Sequence, residues 1–147
     1  MRAPRILAAV ACAALLLAAA APAPGLPLQE LPPQALKRGD CALVLWTRAP
    51  DARRIVMVLE GPPRARIRLS GRTLDLARVS AQGTSVAGQT ARQVYEGEGL
   101  RLSLDLDLTG QRPTPGGVVI PDGALEFSDP SGWSVVAPVG GLIACEP

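Results

Sequence analysis

Residues 99–110 read "GLRLSLDLDLTG", with Leu100, Leu102, Leu104, Leu106 and Leu108 alternating with Arg101, Ser103, Asp105 and Asp107. A strict period of two places alternate side chains on opposite faces of a β-strand, so the leucines form one apolar face and the charges a solvated one. A helix would scatter the same leucines around its circumference. The stretch therefore predicts a strand with one buried face.

The neighbouring sequence repeats the pattern. In "RARIRLSGRTLDL" (64–76), Ala65, Ile67 and Leu69 alternate with Arg64, Arg66 and Arg68, and Ser70-Gly71 supplies a two-residue hairpin turn before Leu74 and Leu76. "CALVLW" (41–46) and "RRIVMVLE" (53–60) are apolar on both faces, which predicts strands covered on both sides, with Trp46 and Met57 in a core. Turn signals such as Gly61-Pro62-Pro63, Gln82-Gly83, Gly97-Glu98-Gly99, Pro121-Asp122-Gly123 and Asp129-Pro130-Ser131-Gly132 recur along the chain. Their spacing of about 8 to 12 residues leaves no room for a long helix and predicts a sandwich or barrel. The fold expected for 41–147 is all-β: a single-domain antiparallel β-sandwich or barrel of eight to nine short strands.

The beginning of the chain has a different character. Arg2 and Arg5 precede an apolar run from Ile6 to Leu17 and a string of alanines, the order of a secretory signal peptide. The run falls short of the roughly 20 apolar residues that span a bilayer. Ala18 and Ala20 offer the small residues that signal peptidase requires, so residues 1–20 are expected to be removed after Ala20, leaving no transmembrane anchor. Residues 21–40, "APAPGLPLQELPPQALKRGD", carry five prolines without a period, and read as an extended Pro-rich tether.

Export answers the question of the cysteines. With Cys12 lost in the signal, Cys41 and Cys145 remain, and a lone pair in an oxidising compartment predicts one disulfide tying the first strand to the last. The expected location is periplasmic or extracellular. Few lysines beside many alanines, arginines and prolines suggest a bacterial, GC-rich coding sequence.

Charge and composition narrow the function. Two of the 15 basic residues leave with the signal, so 13 face 13 acidic ones, and that balance argues against nucleic acid as a partner. The chain has no histidine, which removes the commonest general base and the usual zinc ligand. No glycine-rich phosphate loop opens a helix, so no cofactor is expected, and no metal. Only carboxylates are left for catalysis. Asp105 and Asp107 project from one strand face about 6.7 Å apart, within the range of inverting glycosidases; a carboxylate-dependent hydrolase is accordingly the alternative reading. Arg64, Arg66 and Arg68 form a guanidinium comb suited to anion binding, or to pairing with Asp105 and Asp107 across the sheet. The leading expectation is a non-catalytic binding or envelope-accessory module whose partner is an anionic envelope polymer or another envelope protein. A structural partner that adds its edge strand to another sheet is a further alternative.

Overall fold

A computed structural model of the chain describes residues 25–48 and 50–147. The expected signal peptide and the first residues of the Pro-rich segment lie outside the described residues. Nine strands follow in order: β1 (Cys41–Thr47), β2 (Arg54–Glu60), β3 (Pro63–Leu69), β4 (Arg72–Val86), β5 (Gln89–Gly97), β6 (Leu100–Leu106), β7 (Arg112–Thr114), β8 (Gly117–Ser128) and β9 (Ser134–Cys145). Neighbours pair antiparallel from β1 through β6, β9 joins β1 to β8, and β6 pairs with β8. That last ladder closes an eight-stranded barrel, with β7 as an extra strand on β8. Of the two architectures the sequence left open, the barrel is the one formed.

Periodicity selects which side chains fill it. All five leucines of 100–108 are buried, as are Ala65 and Ile67, while Arg101, Asp105 and Asp107 are exposed. The interior is one cluster drawn from all eight barrel strands, with Tyr95 and Phe127 its largest members. Eight strands enclose a space that side chains alone can fill. Tight turns match strand twist at three hairpins, where Ser70-Gly71, Ala87-Gly88 and Glu98-Gly99 all take positive φ. Gly117 is required for another reason: a Cβ there would fall 1.8 Å from the Ile143 carbonyl oxygen.

Two expected turns are corrected. Gln82-Gly83 lies inside β4 and Pro121-Asp122-Gly123 inside β8; each coincides with a register shift instead of a chain reversal. Glycine and proline mark a bulge as readily as a turn, because both release the strand from regular pairing. The disulfide is present, joining Cys41 to its register partner Cys145 across β1 and β9.

The larger difference concerns 25–40. Read as a tether, this segment has no strand of its own but is docked as a strap. Leu28 and Leu31 are each 1% exposed. The Gln29 N–H donates to the Arg68 carbonyl at 2.9 Å and the Leu31 N–H to the Arg54 carbonyl at 2.7 Å. These are the strand ends beyond Val56 and Ile67, where the β2–β3 ladder stops. Leu28 joins the interior cluster, whereas Leu31 caps Ala42 and Met57 on the outer face with Leu36 alongside. An odd spacing in extended chain turns two side chains to opposite sides. The strap thus crosses the barrel rim between β2 and β3 and covers the apolar outer face of β1 and β2. Met57 is buried under it; Trp46, also expected in a core, is only half-buried.

Candidate functional site

The guanidinium comb lies on the outer face of β3, as the alternation requires, but its teeth diverge. Arg66 grips Asp75 on β4 with both forks, Nε to Oδ1 at 2.7 Å and Nη2 to Oδ2 at 2.8 Å, and its Nη1 donates to Gln34 Oε1 of the strap at 3.0 Å. Arg64 reaches the same carboxylate at 3.2 Å and the Pro62 carbonyl at 2.9 Å. The acidic partner is therefore Asp75, directly opposite Arg66 in register, and not Asp105 or Asp107, which sit on β6 and just beyond it. Counting charges could not separate these, because it is the β3–β4 hairpin that brings Asp75 alongside Arg66.

Chiefly the Arg66 hydrogen bond, opposed by desolvation, and then the charges of Arg66 and Arg64 hold the Asp75 carboxyl below its ordinary value of 3.8. A lowered folded value means the bond stabilises the fold above the unfolded carboxylate range and is lost as pH falls through the folded value. The side chain is 37% exposed, so screening keeps the contribution to at most about 1 kcal/mol. Asp75→Asn is expected to lower the urea midpoint slightly at pH 7 and to have no effect well below pH 3. An unchanged midpoint at pH 7 would mean that the comb is not held by Asp75.

Arg68, the third tooth, faces Thr73 in register, and its guanidinium makes no hydrogen bond or ion pair among the described residues. It shares a recess of about 390 Å³ with Arg54, lined further by Glu30, Leu31, Pro32 and Pro33. Arg54 donates from Nη2 to the Leu31 carbonyl at 2.8 Å, and its Nε is buried without a partner. Sequence reasoning placed Arg68 in the comb, with Arg54 as an extension of it, but gave the strap no part in the site, since that segment was read as a tether.

The two carboxylates singled out for catalysis sit in different surroundings. Asp105 faces Arg92 in register on the outer wall of β5 and β6, in a shallow depression with Ser103, Glu126 and Val136. Asp107 instead closes a loop: its Oδ1 accepts from the Thr109 N–H at 2.9 Å, the Thr109 hydroxyl at 2.6 Å and the Gly110 N–H at 3.2 Å. The Thr109 hydroxyl bond, with the two backbone N–H groups, pulls its carboxyl below the usual range. Among the described residues no group of three or more histidine, cysteine, aspartate or glutamate side chains could hold a metal ion. No helix among them is long and apolar enough to cross a membrane.

A polar chain that the sequence did not reveal runs inside one end of the barrel. The Tyr95 hydroxyl donates to Gln93 Oε1, Gln93 Nε2 to Gln89 Oε1 at 3.2 Å, and Gln89 Nε2 to Glu60 Oε1 at 3.0 Å, where Arg78 Nη1 also arrives at 2.9 Å. Gln89, Gln93 and Tyr95 are all buried. Burial pushes the Tyr95 hydroxyl well above the usual tyrosine value, against the opposing pull of Arg78. Alternation alone does not tell an inward-facing glutamine from an outward-facing one. The other face of β5, with Arg92 and Glu96, is the one that meets water. Every member is satisfied, as buried polar groups must be. Tyr95→Phe would leave a buried acceptor without its donor and should cost about 1–2 kcal/mol in urea unfolding; a neutral substitution would place Gln93 in contact with water.

No protein-family model matches the chain, no curated protein matches it, and no solved structure matches it.

Proposed function

We propose that the chain is an exported, non-catalytic β-barrel that serves a bacterial envelope as a binding or accessory module, with recognition on its outer surface. The observation that carries this reading is the interior: one apolar cluster and one polar chain occupy it, contributed by the barrel strands with Leu28 of the strap and Leu108. A barrel filled in this way leaves its rim and outer wall as the surfaces that can meet a partner, an anionic envelope polymer or another envelope protein.

The alternatives have weaker support. A glycosidase-like pair needs one carboxyl that stays protonated near neutral pH, whereas Asp107 is held ionised by its loop donors and Asp105 lies on an open wall. Edge-strand addition needs a long free edge; closure of the barrel leaves β7, three residues with Pro113 at the centre, as a poor template.

The test combines cell fractionation with affinity capture. The protein recovered from the envelope fraction should begin at Ala21 and retain a specific partner at low salt. Retention in the cytoplasm with residues 1–20 intact would overturn the exported role. Turnover of a glycoside or ester substrate that is lost in Asp105→Asn would overturn the non-catalytic one.

A further inference from the structure

We infer that the recess between Arg54 and Arg68 is a phosphate-binding site assembled by the strap. This deepens the binding-module reading and rests on it, by naming the chemistry the outer surface would recognise. Arg64 and Arg66 share Asp75, so their charge is answered within the sheet. Arg68 has no such partner among the described residues, and the guanidinium of Arg54 is met by one neutral carbonyl of the strap. Both line one recess.

The backbone explains why these two arginines share it. On a regular ladder the β2 and β3 strand ends would continue to pair past Val56 and Ile67. Here Gln29 and Leu31 take the carbonyls of Arg68 and Arg54 instead, and Leu31, Pro32 and Pro33 become one wall of the recess. Two prolines stiffen that wall, because each fixes its own φ. Arg53, the neighbouring cation, is drawn to Asp51 at 3.1 Å, so it does not compete for the same ligand. Glu30 is the one carboxylate lining the recess, and it is exposed.

The ligand class follows from the geometry of the donors. A guanidinium presents a planar fork that matches two oxygens, so one arginine suffices for a carboxylate. Two forks arriving from adjacent strands suit a group with three or more oxygens in tetrahedral array. Phosphate is that group, as the free ion or as the exposed head of an anionic phospholipid. Glu30 opposes any anion in the recess, and the two guanidinium groups must outweigh it.

The purified oxidised protein should bind inorganic phosphate saturably, with one site per chain, in calorimetric titration. Arg68→Ala, whose side chain makes no hydrogen bond to be lost, is expected to weaken binding about tenfold, the effect of one charge-assisted contact. Arg54→Lys, which keeps the charge and removes the fork, should weaken it similarly with near-ultraviolet circular dichroism unchanged. Arg112→Ala removes one charge from β7 and should leave affinity unaltered. Vesicles distinguish the source: association with phosphatidate vesicles but not phosphatidylcholine, competed by inorganic phosphate, identifies a headgroup, and phosphate binding without vesicle association identifies the free ion. Unsaturable binding, or equal weakening by Arg112→Ala and Arg68→Ala, overturns the site. Failure here with a partner still captured from the envelope would sink the phosphate site and leave the binding-module reading standing.

Discussion

Replacing both bridging cysteines, Cys41→Ala with Cys145→Ala, is expected to lower unfolding stability by about 3–4 kcal/mol and to slow refolding. The bond spans a sequence separation of 104, and closing a loop of that size in the denatured chain removes entropy worth up to about 4.7 kcal/mol. Topology makes this loop matter more than another of equal length. Apart from β6 with β8 and β1 with β9, every neighbouring pair in the barrel joins strands consecutive in the chain, and of these two ladders β1 with β9 is the one that brings the two ends of the domain together. That contact carries the greatest loop-closure cost, and slow folding follows from such long-range pairing. Hydrogen bonds beyond the bridge, from Gly39 to Glu146 and from Glu146 to Asp40, continue the same seam. They should hold the native barrel closed without the sulfur link, which is why a folded but weaker protein is expected. A loss below about 1 kcal/mol with unchanged refolding would mean that the denatured chain already keeps its ends together.

Much of this architecture was legible from residues alone, because alternation is a local property. Leu100 to Leu108 and Arg64 to Arg68 each declare a face without reference to the rest of the chain, and the cysteine pair declares its own partner. Closure was not legible: a sandwich and a barrel use the same strands, and only the β6–β8 ladder tells them apart. Bulges were misread as turns at Gln82-Gly83 and Pro121-Asp122-Gly123, since the residues that permit a reversal also permit an extra residue in a strand. The candidate site was less legible still. Pairing of Arg66 with Asp75 depends on register, and the Arg54–Arg68 recess depends on a segment whose composition suggested an extended tether and no packed element.

That segment did leave one signal. "CALVLW" and "RRIVMVLE" are apolar on both faces, a pattern that calls for cover on the outside of the sheet as well as inside. Among the described residues no other strand layer provides it, and Leu31 and Leu36 of the strap do so. The two sequence observations, a proline-rich stretch without period and two strands apolar on both sides, were halves of one feature. Proline suits the task because a chain lying across a sheet cannot satisfy a full ladder, and residues lacking an N–H leave fewer donors unmet.

Leu28→Ala measures how firmly the strap is held, and it should cost about 2–3 kcal/mol in urea unfolding. Leu28 is 1% exposed and belongs to the interior cluster with Leu45 and Ile55, so truncation removes apolar contact and leaves a cavity at the rim. The lower part of the usual range for a buried leucine applies because the strap is joined to the barrel on one side only and can settle into the space. A free tether would behave differently: its leucine would be solvated in both states, and the substitution would fall within about 0.5 kcal/mol of neutral. Pro33→Ala, an exposed position two residues beyond Leu31, serves as the control for changes in the segment's stiffness. If the strap is seated as the hydrogen bonds of Gln29 and Leu31 require, Leu28→Ala should also raise amide exchange at those two residues. Exchange that is already fast in the unaltered protein would show that the barrel rim is open in solution, and the outer faces of Ala42 and Met57 would then be exposed with it.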